Sequence, residues 1–424
     1  MAKIKKIKAR QIIDSRGYPT LEGRLWLDND TEVITSIPSG STVGKYEAVE
    51  LRDHDPGAYG GNGVGKAVSF VNDLIAPKLV GIAPEKLKEI DYWLIGADGT
   101  KNKNRLGANT TLLISQLMVK AGAKNNNLPV FQYVNALYQS YFSQKIKIER
   151  IPIPIFNIIN GAKYANNDLD FQEFQIIPSS SLSFSDGYKM GINIYHQLKK
   201  VLEYRNTMVA VGEEGGFAPP LSANVDAVEV LVEAVNNCDF KLGKDLFLGI
   251  DVAASTFYRN ERYSIKDKPQ PLTAEQLTEF LLSWVKTYSF LMVEDPLDQD
   301  DWDNWKKINK QMKEDLYIVG DDLIASNKER LEKAIKEEVC STVLIKPNQT
   351  GTITETMEII DISRKNNFSY IISHRSGETN DDFIADLAVG VQSDFVKFGA
   401  PARGERVAKY NRLLEIESDG LINK

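Results

Sequence analysis

The stretch T-V-L-I-K at residues 342–346 decides the fold: four apolar residues, the length of a buried parallel strand, end on a lysine. Five further runs share that form. They are LFLGI before Asp251, FLMV before Glu294, LYIVG before Asp321, YIIS before His374 and Arg375, and FV before Lys397. The polar ends are spaced by 43, 27, 25, 28 and 23 residues, and a spacing in the mid-twenties holds one return helix. Repeated βα units whose strands all stop on an ionisable group are how a (β/α) barrel builds an active site at the C-terminal face of its strands. Three carboxylates and two lysines arriving at one place are costly unless cations and an anionic ligand share it.

The chain has 424 residues, enough for one barrel and a smaller partner. Lys and Arg total 51 against 58 Asp and Glu, so the net charge of −7 gives no support for nucleic-acid binding. The basic start (Lys3, Lys5, Lys6, Lys8, Arg10) is not followed by an apolar stretch, which argues against a secretory signal. No run approaches the roughly 18 apolar residues of a membrane span. Cys238 and Cys340 make no metal or redox spacing and read as free thiols of a reducing compartment. The expected location is cytoplasmic.

Residues 4–35 read as strands with turns at Ser15-Arg16-Gly17 and Asp28-Asn29-Asp30, residues 37–66 as long loops, and Leu112 to Ala121 as helix. The run at 124–129 is a break, and Ile151-Pro152-Ile153-Pro154-Ile155 opens an alternation of strand and helix. The expected division is an α+β N-terminal domain at 1–140 and a barrel at 141–424. Thr273 with Gln276, and Ser326 with Glu329, fit capping boxes at helix starts. Residues 60–66 match GxxxxGK, but Ala67 stands where a P-loop needs a hydroxyl and no buried strand precedes it, so a nucleotide loop is rejected.

Asp251, Glu294 and Asp321 are the candidate metal ligands. Oxygen-only ligation selects a hard cation such as Mg²⁺, and the chain has only three histidines for a softer one. Lys346 follows its strand directly, so its amine is expected to be enclosed. Burial and nearby cations would depress its pKa and make it a base; a salt bridge to Asp321 or Asp322 is the other reading, and one position can do both jobs. Glu213 and Glu214 lie between glycines on a tight turn, where mutual repulsion suits one of the pair to general-acid work. Gln172 and Glu173 are polar within an apolar strand. Arg375, Ser376 and Lys397 offer a fork, a hydroxyl and a point charge for phosphate or carboxylate.

With these residues in hand, the chain resembles the enolase family nearly end to end. The resemblance rests on DSRGYPT (14–20), PSGSTVGKYEAVELRD (38–53), DGTKNKNRLGAN (98–109), NIINGAKYANN (157–167), QEF (172–174), GEEGGFAP (212–219), DVAAS (251–255), EDPLDQDDW (294–302), GDDL (320–323), IKPNQTGT (345–352), SHRSGET (373–379) and RVAKYNRLLEIE (406–417). It implies an α+β N-terminal domain and an atypical (β/α)8 barrel with mixed strand directions at its start. It implies Mg²⁺-dependent, reversible dehydration of 2-phosphoglycerate to phosphoenolpyruvate, with Lys346 as base and Glu214 as acid. Asp251, Glu294 and Asp321 hold the first of two Mg²⁺, and Thr42 stands where a serine usually serves the second. Gln172, Arg375, Ser376 and Lys397 meet substrate, with Glu173 and His374 nearby. A homodimer or octamer is implied as well.

Departures gather in the loops that cover the site. Ser39-Gly40-Ser41-Thr42-Val43-Gly44 replaces the usual Ser-Gly-Ala-Ser-Thr-Gly, and Tyr164 replaces a substrate-facing histidine, with Lys163 beside it. Tyr18 and Phe398 replace an asparagine and a threonine. Two other readings stay open at this stage: a paralogue with weak or altered activity, and a surface protein whose terminal Lys424 captures plasminogen-type ligands.

Overall fold

The computed structural model describes residues 2–40, 44–420 and 422. Thr42, Val43 and Lys424 lie outside the described residues.

The N-terminal part opens with a three-stranded antiparallel sheet: β1 (Ile4–Ile13), β2 (Pro19–Leu27) and β3 (Glu32–Ser36). Period-two alternation puts Ile7, Ala9, Leu21 and Leu25 on one buried face. The 18-residue helix Ala108–Asn125 covers that face. Gly23 makes room for it, since a Cβ there would stand 2.9 Å from Leu117 Cδ1. Within the expected loop segment at 37–66, the described residues are largely irregular. The GxxxxGK run is no phosphate loop: the amides of Gly65 and Lys66 donate to the Asp53 carboxylate, at 2.7 and 2.8 Å. The helix Val130–Phe142 then packs on the helix Phe383–Gly390, and Asn135 Nδ2 donates to Gly390 O at 2.9 Å.

Eight strands close the barrel: β4 (Ile153–Asn160), β5 (Glu173–Pro178), β6 (Leu246–Asp251), β7 (Phe290–Glu294), β8 (Tyr317–Gly320), β9 (Thr342–Ile345), β10 (Ser369–Ser373) and β11 (Phe395–Lys397). Their order round the barrel is β8-β9-β10-β11-β4-β5-β6-β7. All six apolar runs are strands of it. Only β5 runs antiparallel to both neighbours, so its first residue, Glu173, lies at the mouth where the other strands end. The interior is packed. Ile155, Ile177, Met292, Val319, Leu344, Ile371 and Phe395 form one buried cluster, one from each of seven strands. The eighth contributes Gly249, where a Cβ would meet Gln175 Oε1 at 2.6 Å. A filled barrel leaves chemistry only to its rim.

The capping box at Thr273 and Gln276 is present. The one expected at Ser326 is not. Asn327 caps the helix Lys328–Glu337, accepting from Arg330 N. Ser326 is held at φ +47, and its hydroxyl instead accepts Lys346 N and donates to Gln349 Oε1. That serine braces the strand end bearing Lys346.

Candidate active site

Strand register lays one polar row across the mouth. Asn160 stands opposite Glu173, Glu173 opposite Asp251, and Asp251 opposite Glu294. Lys397 reaches this row from β11, which has three strands between it and β7 in either direction. Its Nζ lies 2.8 Å from both Glu294 oxygens, 3.3 Å from Glu173 Oε2 and 3.9 Å from Asp251 Oδ2. Gln172 Nε2 donates to Asp251 Oδ2 at 2.8 Å, and Gln175 Nε2 to Glu173 Oε2 at 2.7 Å.

The second cluster lies one strand further. Lys346 Nζ donates to Asp321 Oδ2 at 2.6 Å. Carboxylate oxygens of Asp295, Asp321 and Asp322 come within 4.8 Å of one another. Asp295 is a brace: Oδ1 accepts Asp321 N and Oδ2 accepts Asp322 N, at 3.0 and 2.7 Å. The expected triad of Asp251, Glu294 and Asp321 is thus split between two ammoniums, with Asp321 on Lys346 and the other two around Lys397.

Charge decides what this mouth accepts. Glu173, Asp251 and Glu294 surround Lys397, Asp321 bonds Lys346, and Asp295 and Asp322 stand beside Asp321, six carboxylates to two ammoniums. Burial first, then mutual repulsion, pushes Asp251, Glu294 and Asp295 well above the usual carboxylate range. Asp322 is pushed up to about 6 by burial and by Asp321, while Lys346 and Lys163 oppose the rise. Asp321 goes the other way, because Lys346 and Lys397 outweigh its burial. Burial also works against the charge of Lys397, yet Glu173, Glu294 and Asp251 hold it well above an ordinary lysine. Hard oxygen donors with surplus negative charge suit divalent cations such as Mg²⁺. Asp321 Oδ1 and both amide atoms of Asn160 are buried at the mouth with no hydrogen-bond partner among the described residues, so polar capacity is left unmet there.

Lys346 departs from expectation. Burial lowers its pKa, but Asp321 more than restores it, and the net shift is upward. The salt bridge to Asp321 is formed. The amine would become a base only when that carboxylate is drawn elsewhere.

The Glu213–Glu214 turn folds onto the mouth. Gly215 at φ +88 closes it, and Tyr195 Oη donates to Gly215 O at 2.8 Å. Glu214 is buried, accepts Asn157 Nδ2 at 2.9 Å, and lies 3.4 Å from His374 Nε2. Burial, then Glu214, pushes Glu213 up, against Arg16. Tyr164 is half-buried beside them, and its carbonyl accepts Glu213 N at 3.0 Å. Burial and the charges of Glu214, Glu173 and Asp251 raise its phenol well above the usual range. Arg375 is committed to Glu47 Oε2 at 2.7 Å and Asn348 Oδ1 at 3.0 Å, and Ser376 follows it in the same buried loop. Phe398 is fully buried in the core, and Tyr18 is exposed over Arg16.

Four supporting residues escape the sequence reading. Glu47 pairs Arg375, Asn157 anchors Glu214, Asp295 braces the two aspartates, and fully buried Arg406 bonds His374 and three carbonyls. Asn157 carries the signal that singled out Gln172: a polar residue inside an apolar strand. The most capacious of the described cavities, about 820 Å³, lies beside this centre, between Tyr46, Trp302, Arg330 and Lys333. The surplus carboxylates and unmet polar atoms belong to the mouth.

Comparison with known proteins gives the family of the two parts of the chain. Residues 4–134 match the family model described as Enolase, N-terminal domain, and residues 148–422 match Enolase, C-terminal TIM barrel domain. The chain is 45% identical over 415 residues to Enolase of Ehrlichia ruminantium (strain Welgevonden), covering 98% of this chain and 96% of that protein. It is 43% identical over 414 residues to Enolase of Ehrlichia canis (strain Jake), with the same coverage. It is 44% identical over 419 residues to Enolase 1 of Methylococcus capsulatus, covering 99% and 97%.

Proposed function

The chain belongs to the enolase family, and we propose on that premise that it is a phosphopyruvate hydratase, a hydro-lyase that interconverts 2-phosphoglycerate and phosphoenolpyruvate. The observation that carries the reading is a half-buried lysine, Lys346, and a buried glutamate, Glu214, at a mouth crowded with carboxylates.

Lys346 Nζ takes the proton from C2, and the electron pair left there forms the C2–C3 double bond as the C3 hydroxyl departs. Glu214 supplies the proton that lets that hydroxyl leave as water. Removing a proton beside a carboxylate places a second negative charge on its oxygens, and the ammonium of Lys397 is fixed in advance to meet it. Asp251, Glu294 and Asp321 would hold Mg²⁺, which when bound would supply positive charge to stabilise that charge. Arg375 and Ser376 meet the phosphate, Gln172 orients the carboxylate end, and Glu173 and His374 line the wall. Tyr164 donates one hydrogen bond where the family has a histidine, and Lys163, exposed but felt at Asp322, supplies positive charge at the same rim.

A spectrophotometric assay of phosphoenolpyruvate formation, with and without Mg²⁺, tests the reading. Turnover that needs Mg²⁺ and is lost in Lys346→Ala supports it. No turnover by a protein that binds Mg²⁺ overturns it.

A further inference from the structure

Arg406 is fully buried, in the helix Gly404–Ser418 behind the mouth. Its Nη1 lies 2.7 Å from His374 Nδ1 and donates to Arg375 O at 2.6 Å. Its Nη2 donates to Ser376 O at 2.5 Å and to Glu213 O at 3.1 Å. One guanidinium thus touches the loop of the anion site, the backbone beside Glu214, and His374. Gly399, at φ +89, makes the packing feasible: a Cβ there would stand 2.8 Å from Glu214 O, 2.9 Å from His374 Cε1 and 3.0 Å from Arg406 Cδ.

A guanidinium has donors and no acceptor. A bond between Arg406 and His374 Nδ1 therefore requires Nδ1 to accept, so the ring is neutral and its single proton sits on Nε2. That nitrogen is buried without a hydrogen-bond partner among the described residues, 3.4 Å from Glu214 Oε2. Asn157 Nδ2 already donates to the same oxygen at 2.9 Å. One N–H group thus bonds Oε2 and a second stands 3.4 Å from it. Among the described residues nothing bonds Oε1, which is left as the oxygen for a proton in transit.

We propose that Arg406 is a positioning residue for the acid: it fixes His374 as the Nε2–H tautomer, which with Asn157 holds Oε2 of Glu214 and presents Oε1 to the substrate. The proposal rests on the reading of Glu214 as the general acid. Burial and the Arg406 charge also keep the ring neutral, lowering the His374 pKa well below its ordinary value. Glu378, Glu173 and Lys397 also reach it, and Glu214 faces Nε2 at 3.4 Å.

The chain has three histidines, His54, His196 and His374, so ¹⁵N-histidine labelling gives three ring systems to assign. In the substrate-free protein the expected spectrum of His374 is a neutral ring protonated at Nε2. Arg406→Met should move it toward the Nδ1–H tautomer, and Arg406→Lys, which keeps a donor, should preserve it. With Mg²⁺, Arg406→Met should lower kcat for phosphoenolpyruvate formation about 10–100-fold with KM little changed. Exchange of the C2 hydrogen, which needs Lys346 and not Glu214, should stay close to the wild-type rate. A wild-type ring protonated at Nδ1, or equal slowing of exchange and elimination in Arg406→Met, would overturn the proposal. Should Arg406→Met fail to fold, the wild-type spectrum and Arg406→Lys decide. An Nε2–H ring in a protein without turnover would sink the hydratase reading and leave the Arg406 contact standing. An Nδ1–H ring in an active enzyme would sink this inference alone.

Discussion

Replacing Lys397 with methionine removes the cation around which the mouth is organised while keeping most of its volume. Its Nζ makes two 2.8 Å contacts to Glu294 and one of 3.3 Å to Glu173, and it is 3% exposed. Removing one partner of a buried ion pair leaves an uncompensated charge and costs about 3–5 kcal/mol. Unfolding entropy of about 2.1 cal/mol/K per residue, taken over 424 residues, makes that a loss of roughly 3–6 °C in Tm for a single transition. Scanning calorimetry in EDTA reads it. Mg²⁺ adds the second half of the test. A ligand at a hundred times its Kd stabilises by about 2.7 kcal/mol, worth about 3 °C in a chain of this size. In Lys397→Met the cation meets carboxylates no longer neutralised by an ammonium, so its stabilisation should exceed that of the wild type. A variant that melts within about 1 °C of wild type in EDTA, against the expected cost of a broken buried pair, refutes the charge argument. So does an identical Mg²⁺ response in both proteins.

Asp91 gives a pH dependence away from the mouth. Burial pushes it up to about 7, against hydrogen bonds from Thr354 and Ser115. Its folded pKa exceeds the unfolded one, so the folded state binds the extra proton between about pH 4 and 7 and stability falls as pH rises through that window, by roughly 4 kcal/mol from this group. Asp91→Asn should flatten the fall in Tm between acidic and neutral pH, and an unchanged slope would contradict the assignment. Tyr164→His combined with Thr42→Ser should change kcat/KM by less than about threefold, Lys163 and the two native hydroxyls compensating. A gain far beyond that would show that the departures are costly.

Much of this site was legible because a barrel strand is short and its end is marked. Asp251, Glu294, Asp321, Lys346, His374 and Lys397 each follow an apolar run, and each run is a strand. Glu173 was legible only as a polar residue within an apolar strand; its place at the mouth comes from β5 running antiparallel to both barrel neighbours, which the pattern does not report. Arg406 was hidden by helical periodicity. A charged residue on a terminal helix reads as solvated, yet Arg406, Lys409, Tyr410 and Leu413 share one buried face at i, i+3, i+4 and i+7. Glu47 was hidden by distance, since its partner Arg375 lies 328 residues away. The direction of the Lys346 shift was misjudged because a strand-end pattern reports burial without reporting which carboxylate bonds the amine. Ser326 was misread as a cap because its hydroxyl serves a residue twenty positions ahead.

The claim that Lys346 is the base and Glu214 the acid is tested most directly by following the C2 hydrogen of 2-phosphoglycerate by NMR in deuterated solvent with Mg²⁺. Glu214→Gln should exchange that hydrogen with solvent while forming almost no phosphoenolpyruvate, and Lys346→Ala should do neither. Exchange at the wild-type rate in Lys346→Ala, or full phosphoenolpyruvate formation by Glu214→Gln, would contradict the account.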